Sequence, residues 1–166
     1  MNINFSDYLN LRENISIDLD FGKTEFIKRF KGYLDYDRGL LIDELYCSKK
    51  VYLGKIDSVK FVLRKKRRFM NPNIQSTNAK GRIIEFNGKT RLEIDITGAD
   101  EISNLGLIIA PISFLILFVI ILIKEAYPAL IIFIPFAILF LTFLRVIMKK
   151  RMREFKLELI ENLTQL

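Results

Sequence analysis

The chain has 166 residues, 51% hydrophobic and 27% charged, with a formal net charge of +7. A soluble domain seldom carries both excesses unless they are segregated along the chain, and this composition excludes a disordered chain and a disulfide scaffold. There is no His and one Cys, Cys47, so His-based catalysis, His-containing metal sites and any intramolecular disulfide are excluded as well.

The charges are indeed segregated. Residues 105–148 hold only Lys124, Glu125 and Arg145 of the 45 charged side chains. Residues 1–104 carry 19 basic and 15 acidic groups and residues 149–166 carry five and three, so each segment has a modest positive excess. Such an excess suits the neighbourhood of an anionic membrane surface better than a dedicated nucleic-acid binder. No nucleic-acid partner is expected.

In chain order, Met1-Asn2-Ile3-Asn4-Phe5-Ser6-Asp7 lacks the basic and then apolar run of a signal peptide, and no lipidation motif is present. Over 15–21 the residues alternate strictly, which predicts a strand with Ile15, Ile17, Leu19 and Phe21 on one face and Ser16, Asp18 and Asp20 on the other. Thr24 is placed to cap a short helix over about 25–34, with Phe26, Ile27, Phe30 and Tyr33 or Leu34 on its apolar side. A turn at 35–39 precedes strands expected over 41–47, 51–57, 59–66, 80–86 and 89–97. Cys47 reads as a small strand residue rather than a reactive thiol.

The last two strands flank Asn87-Gly88, a strong hairpin signal because a type I′ turn needs positive φ at both positions. Leu92, Ile94 and Ile96 then share one face, and Arg91, Glu93 and Asp95 point to water. One buried and one solvated face predicts an α+β domain, a small mostly antiparallel sheet with one short helix. Residues 67–79 read as a polar loop, and 97–100 as a linker.

From Leu105 to Ile123 every residue is apolar, Gly, Pro or Ser, and from Ala129 to Met148 only Thr142 and Arg145 are polar. Stretches of this length predict two spanning helices, 105–123 and 129–148, joined as a hairpin. Pro128 suits the first turn of the second span and Tyr127 the interfacial aromatic belt. Pro111 and Pro135 are expected to bend the spans, and Gly106-x-x-x-Ala110 is a small-residue pair suited to close helix approach. Lys149, Lys150, Arg151 and Arg153 follow the second span, against Lys124 alone in the loop. The positive-inside rule then sets both termini in the cytoplasm and the hairpin in the inner (plasma) membrane. Neither span carries an ionisable group near its middle, which argues against a transporter.

The tail, 149–166, reads as a helix continuing the second span. Met152, Phe155, Leu159, Leu163 and Leu166 form one stripe, and Arg151, Glu154, Glu158 and Glu161 are expected opposite. That stripe needs a partner: the protein's own domain or a second copy. Homo-oligomers through the hairpin or tail are compatible with this pattern.

Arg64-Lys65-Lys66-Arg67-Arg68 is the densest charge run. It suits anionic lipid headgroups or another anionic ligand, Phe69 being placed to stack on a base; a solvated strand end is the plain alternative. Asp18 with Asp20 and Glu93 with Asp95 read as solvated pairs, because no nucleophile or metal partner accompanies them. Gly-rich phosphate loops, nucleophile elbows and metal-spaced clusters are absent from the sequence. No catalytic residue, cofactor or metal is therefore assigned, and a non-enzymatic protein is expected.

The segments Tyr52-Leu53-Gly54-Lys55-Ile56, Phe61-Val62-Leu63-Arg64, Lys80-Gly81-Arg82-Ile83 and Thr90-Arg91-Leu92-Glu93-Ile94, followed by the hairpin, resemble a group of small bacterial membrane proteins. Members place a cytoplasmic β-rich domain before a two-helix transmembrane hairpin and a charged helix. The resemblance covers about 24–164. Arg68-Phe69-Met70-Asn71-Pro72 matches the group's basic loop in part, and the apolar segment after the last strand departs from it. The resemblance implies an architecture and no activity. The reading that follows is a membrane-anchored binding or regulatory module with a ligand- or protein-binding cytoplasmic domain. A membrane-disrupting effector that senses a nucleotide, of the kind used against phage, is the second reading, and a toxin-immunity protein the third.

Overall fold

Alternating residues become strands wherever a helix is available to cover their apolar face, and here two helices do so. A computed structural model describes residues 10–36, 50–65, 77–99 and 101–166. The strand expected over 41–47, Cys47 and residues 66–76 of the basic loop lie outside the described residues. The elements are β1 (Arg12–Leu19), α1 (Lys23–Phe30), β2 (Leu34–Asp35), β3 (Tyr52–Ile56), β4 (Lys60–Lys65), β5 (Asn78–Phe86), β6 (Lys89–Thr97), α2 (Glu101–Ile123), a 3-10 turn (Tyr127–Ala129) and α3 (Leu130–Thr164).

The strands form one six-stranded sheet in the order β1-β6-β5-β4-β3-β2. Every pairing is antiparallel except that of β2 with β3. The fold is α+β, as the alternation predicts. Asn87 and Gly88 take φ values of 51° and 75°. The two-residue turn therefore sets Phe86 opposite Lys89, and the β5–β6 register follows from it. Helix α1 begins at Lys23 with Gly22 at its N-cap and no side-chain cap, so Thr24 lies within the helix and does not cap it. The helix also ends at Phe30, earlier than its apolar spacing suggests, because Gly32 and Tyr33 turn back on the carbonyls of Arg29 and Phe30.

One face of the sheet is the core. Leu92, Ile94 and Ile96 of β6, Ala79 and Ile83 of β5, and Phe61 and Leu63 of β4 are all buried there. Phe26 and Phe30 of α1 cover one part, Phe61 lying edge-on to Phe30 at 5.8 Å between ring centroids. Met152, Phe155, Leu159 and Leu163 of α3 cover the rest and belong to the same apolar cluster. The tail stripe is thus buried on the protein's own sheet. Glu158 stands beside that stripe rather than opposite it: it is one position before Leu159 on the helix and pairs with Lys65 of β4. Lys156 pairs with Glu13 of β1, and Asn162 donates to the Tyr52 phenol oxygen at 2.8 Å. The helix therefore crosses the core face from β1 and β6 towards β3.

Helix α3 runs without interruption for 35 residues, about 52 Å at 1.5 Å per residue. Its first half packs antiparallel to α2. The Asn104–Ile123 and Tyr127–Thr164 helices each contain a stretch long and apolar enough to cross a membrane. Almost none of either apolar stretch is covered by protein, unlike the core helix of a soluble fold. Pro128 sits in the 3-10 turn that leads into α3, and Pro111 and Pro135 lie within unbroken helices. The Gly106–Ala110 pair does not bring the two helices together, since a Cβ on Gly106 would meet nothing within 4 Å. Aromatic rings make the contact instead: Phe114 meets Phe133, Phe136 and Phe140 at 5.9, 6.3 and 5.6 Å between centroids. Where the hairpin meets the sheet, Leu11, Ala99, Leu107 and Met148 form a second buried cluster.

Candidate functional site

The sheet face away from α1 and α3 is open, and strand pairing decides which side chains meet on it. The β5–β6 register sets Lys80 opposite Asp95 and Arg82 opposite Glu93. On the other flank of β5, Lys60 of β4 is directly opposite Arg82, and Val62 opposite Lys80. On β1, Asn14 faces Asp95 and Ser16 faces Glu93. These side chains line a shallow trough of about 830 Å³, within the range of small-molecule sites.

The trough has two unlike banks. One is cationic, with Lys60, Lys80 and Arg82. None of the three makes an ion pair with a described residue. The other bank holds Glu93, Asn14 and Ser16. Asp95 is neutralised there by Arg12, which donates through Nε at 2.9 Å and Nη2 at 2.7 Å. With that pair set aside, the trough has three cations against the one carboxylate of Glu93.

Lys60 and Arg82 are like charges set directly across adjacent strands, an arrangement that costs stability. Towards β1 and the hairpin turn, opposite charges on the same face close into ion pairs. Arg91 holds Asp18 at 2.7 and 3.2 Å, and Lys89 holds Asp20 at 2.6 Å. Hydrogen bonding to Arg91 keeps the Asp18 carboxyl below its ordinary pKa, and the bond to Asp20 raises Lys89. The two aspartates thus serve as exposed cross-strand pairs.

The basic run is divided by the pleat. Arg64 points to the open face with its Nη1 buried, while Lys65 points to the core-side rim and pairs with Glu158. Lys66, Arg67 and Arg68 lie outside the described residues. Strand β4 ends at Lys65, at the same end of the sheet as β6, whose Thr97 leads into α2. Of the basic residues after the second apolar stretch, Lys150 and Arg153 are exposed and Lys149 and Arg151 half-buried. Burial raises the Tyr52 phenol above its ordinary value, against the bond from Asn162, so the group stays protonated within the core.

Lys60, Lys80 and Arg82 do not stand out in the sequence, because they are dispersed singly over 23 positions. The two-residue pleat of β5 places Lys80 and Arg82 on one face, and the Asn87-Gly88 turn sets their β6 partners. The β4 partner that completes the bank is set by a pairing between segments 12 residues apart in the chain, which carries no local signal. Among the described residues, no three His, Cys, Asp or Glu side chains are grouped as a metal would need. No family model, no curated protein and no solved structure matches the chain.

Proposed function

We propose that the protein is a non-enzymatic, membrane-anchored binding module whose open sheet face recognises an anionic ligand or an acidic protein segment. Its two apolar helices anchor it in the inner membrane with both termini in the cytoplasm, the arrangement of the group it resembles. The observation that carries the reading is the bank of Lys60, Lys80 and Arg82, three neighbouring cations without ion pairs among the described residues. Unpaired neighbouring cations on a folded surface repel one another, and an anion bound between them relieves that cost. The buried stripe of α3 supports the rest, because it joins the sheet to the apolar hairpin without a flexible linker.

The full chain in phosphatidylcholine nanodiscs is expected to bind fluorescent oligo-glutamate or pyrophosphate in a salt-sensitive way. The triple variant Lys60→Ser, Lys80→Ser, Arg82→Ser is expected to lose about tenfold or more in affinity. Undiminished binding by the variant counts against the reading. A reporter fused after Leu166 is expected to be active only in the cytoplasm; activity only outside reverses the orientation.

A further inference from the structure

The two banks of the trough ask for different chemistry at a fixed separation. Lys60, Lys80 and Arg82 supply ammonium and guanidinium donors from β4 and β5. Glu93 on β6 and Asn14 and Ser16 on β1 supply acceptors. Adjacent strands lie about 4.8 Å apart, so the acceptors begin one strand away from β5 and end about 10 Å away. A simple polyanion satisfies the first bank and is repelled by Glu93. A ligand with a phosphate at one end and hydroxyl or amino donors about 5–10 Å from it satisfies both.

Resting on the anion-binding reading above, we infer that the trough holds a soluble phosphate ester of mononucleotide size. Its phosphate lies between Lys60, Lys80 and Arg82, and its sugar or base donors reach Glu93, Asn14 and Ser16. The volume of about 830 Å³ admits such a molecule. The like-charge Lys60–Arg82 pair is relieved by the doubly negative phosphate, each contact being a charge-assisted hydrogen bond. Glu93 gives selectivity, because its carboxylate repels a bare phosphate and accepts from a ribose hydroxyl or an exocyclic amine. Val62, 44% exposed between the cations, offers apolar contact to the organic part.

The test titrates the full chain, in phosphatidylcholine nanodiscs, with adenosine diphosphate, pyrophosphate and oligo-glutamate, by calorimetry. Adenosine diphosphate is expected to bind at least about tenfold more tightly than pyrophosphate, the difference being the donor contacts. Glu93→Gln is expected to shrink that preference several-fold while leaving pyrophosphate unchanged or tighter. Lys60→Ser with Arg82→Ser is expected to weaken both phosphates about tenfold or more, and Lys150→Ser, outside the trough, neither. Matching thermal melts of the variants exclude misfolding as the cause. Equal affinity for adenosine diphosphate and pyrophosphate overturns the inference and leaves anion binding standing, as does binding of oligo-glutamate alone. Loss of adenosine diphosphate binding when phosphatidylglycerol is added to the nanodisc overturns it in favour of a lipid headgroup. Silence from all three probes overturns the anion-binding reading too.

Discussion

A Cβ placed on Gly81 would lie 2.1 Å from the Phe61 ring, and one on Gly54 would lie 2.0 Å from the Val62 carbonyl oxygen. Both glycines exist so that something else can come close. On β5 the visitor is a ring already enclosed by Phe26 and Phe30; on β3 it is the neighbouring backbone itself. Gly81→Ala is therefore expected to cost on the order of 1–3 kcal/mol, read as a lower urea midpoint in detergent, because Phe61 has no room to yield. Asp18 gives a different kind of test. Its pKa is lowered in the folded state by Arg91, so its contribution is present above the ordinary carboxylate range and is lost as pH falls through the lowered value. The stability difference between the parent and Asp18→Asn is expected to narrow as pH falls from about 5 through the lowered value, and to be small throughout, since the pair is exposed. The sequence shows where these residues stand. It does not show why Gly81 must be Gly, because the ring that requires it arrives from another strand.

Among the elements, α3 joins two environments in one helix. Its stripe at 152, 155, 159 and 163 is legible from spacing alone, and the structure buries it on the sheet. The role of Glu158 is less legible, because spacing ranks a residue by angle and not by the cation that awaits it. Leu159→Ala is expected to destabilise the sheet by about 2–5 kcal/mol, a fully buried side chain leaving a cavity. Leu157→Ala, at a position 67% exposed, is expected to stay within about 0.5 kcal/mol. Thermal unfolding of both variants in one detergent makes the comparison. The strands divide in the same way. The Asn87-Gly88 turn dictates the β5–β6 register locally. The β4–β5 pairing closes over residues 66–76, and no turn chemistry announces which residues will face each other.

At the scale of the molecule, charge and apolarity are separated along the chain and again across the sheet. Hydropathy reads the first separation directly, because a run of 20 apolar residues needs no partner to be recognised. The second depends on pairing, and with it the bank of Lys60, Lys80 and Arg82. The uninterrupted α3 has one more consequence. Hairpin and sheet share a screw axis along which each residue advances about 1.5 Å and turns about 100°. The compass bearing of the open face around that axis is therefore counted out in residues between Phe140, among the rings of the hairpin, and Phe155, packed against the sheet. One residue more would swing the bearing by about 100°, whereas seven would return it to within about 20°. The direction in which the trough looks is a matter of helical phase.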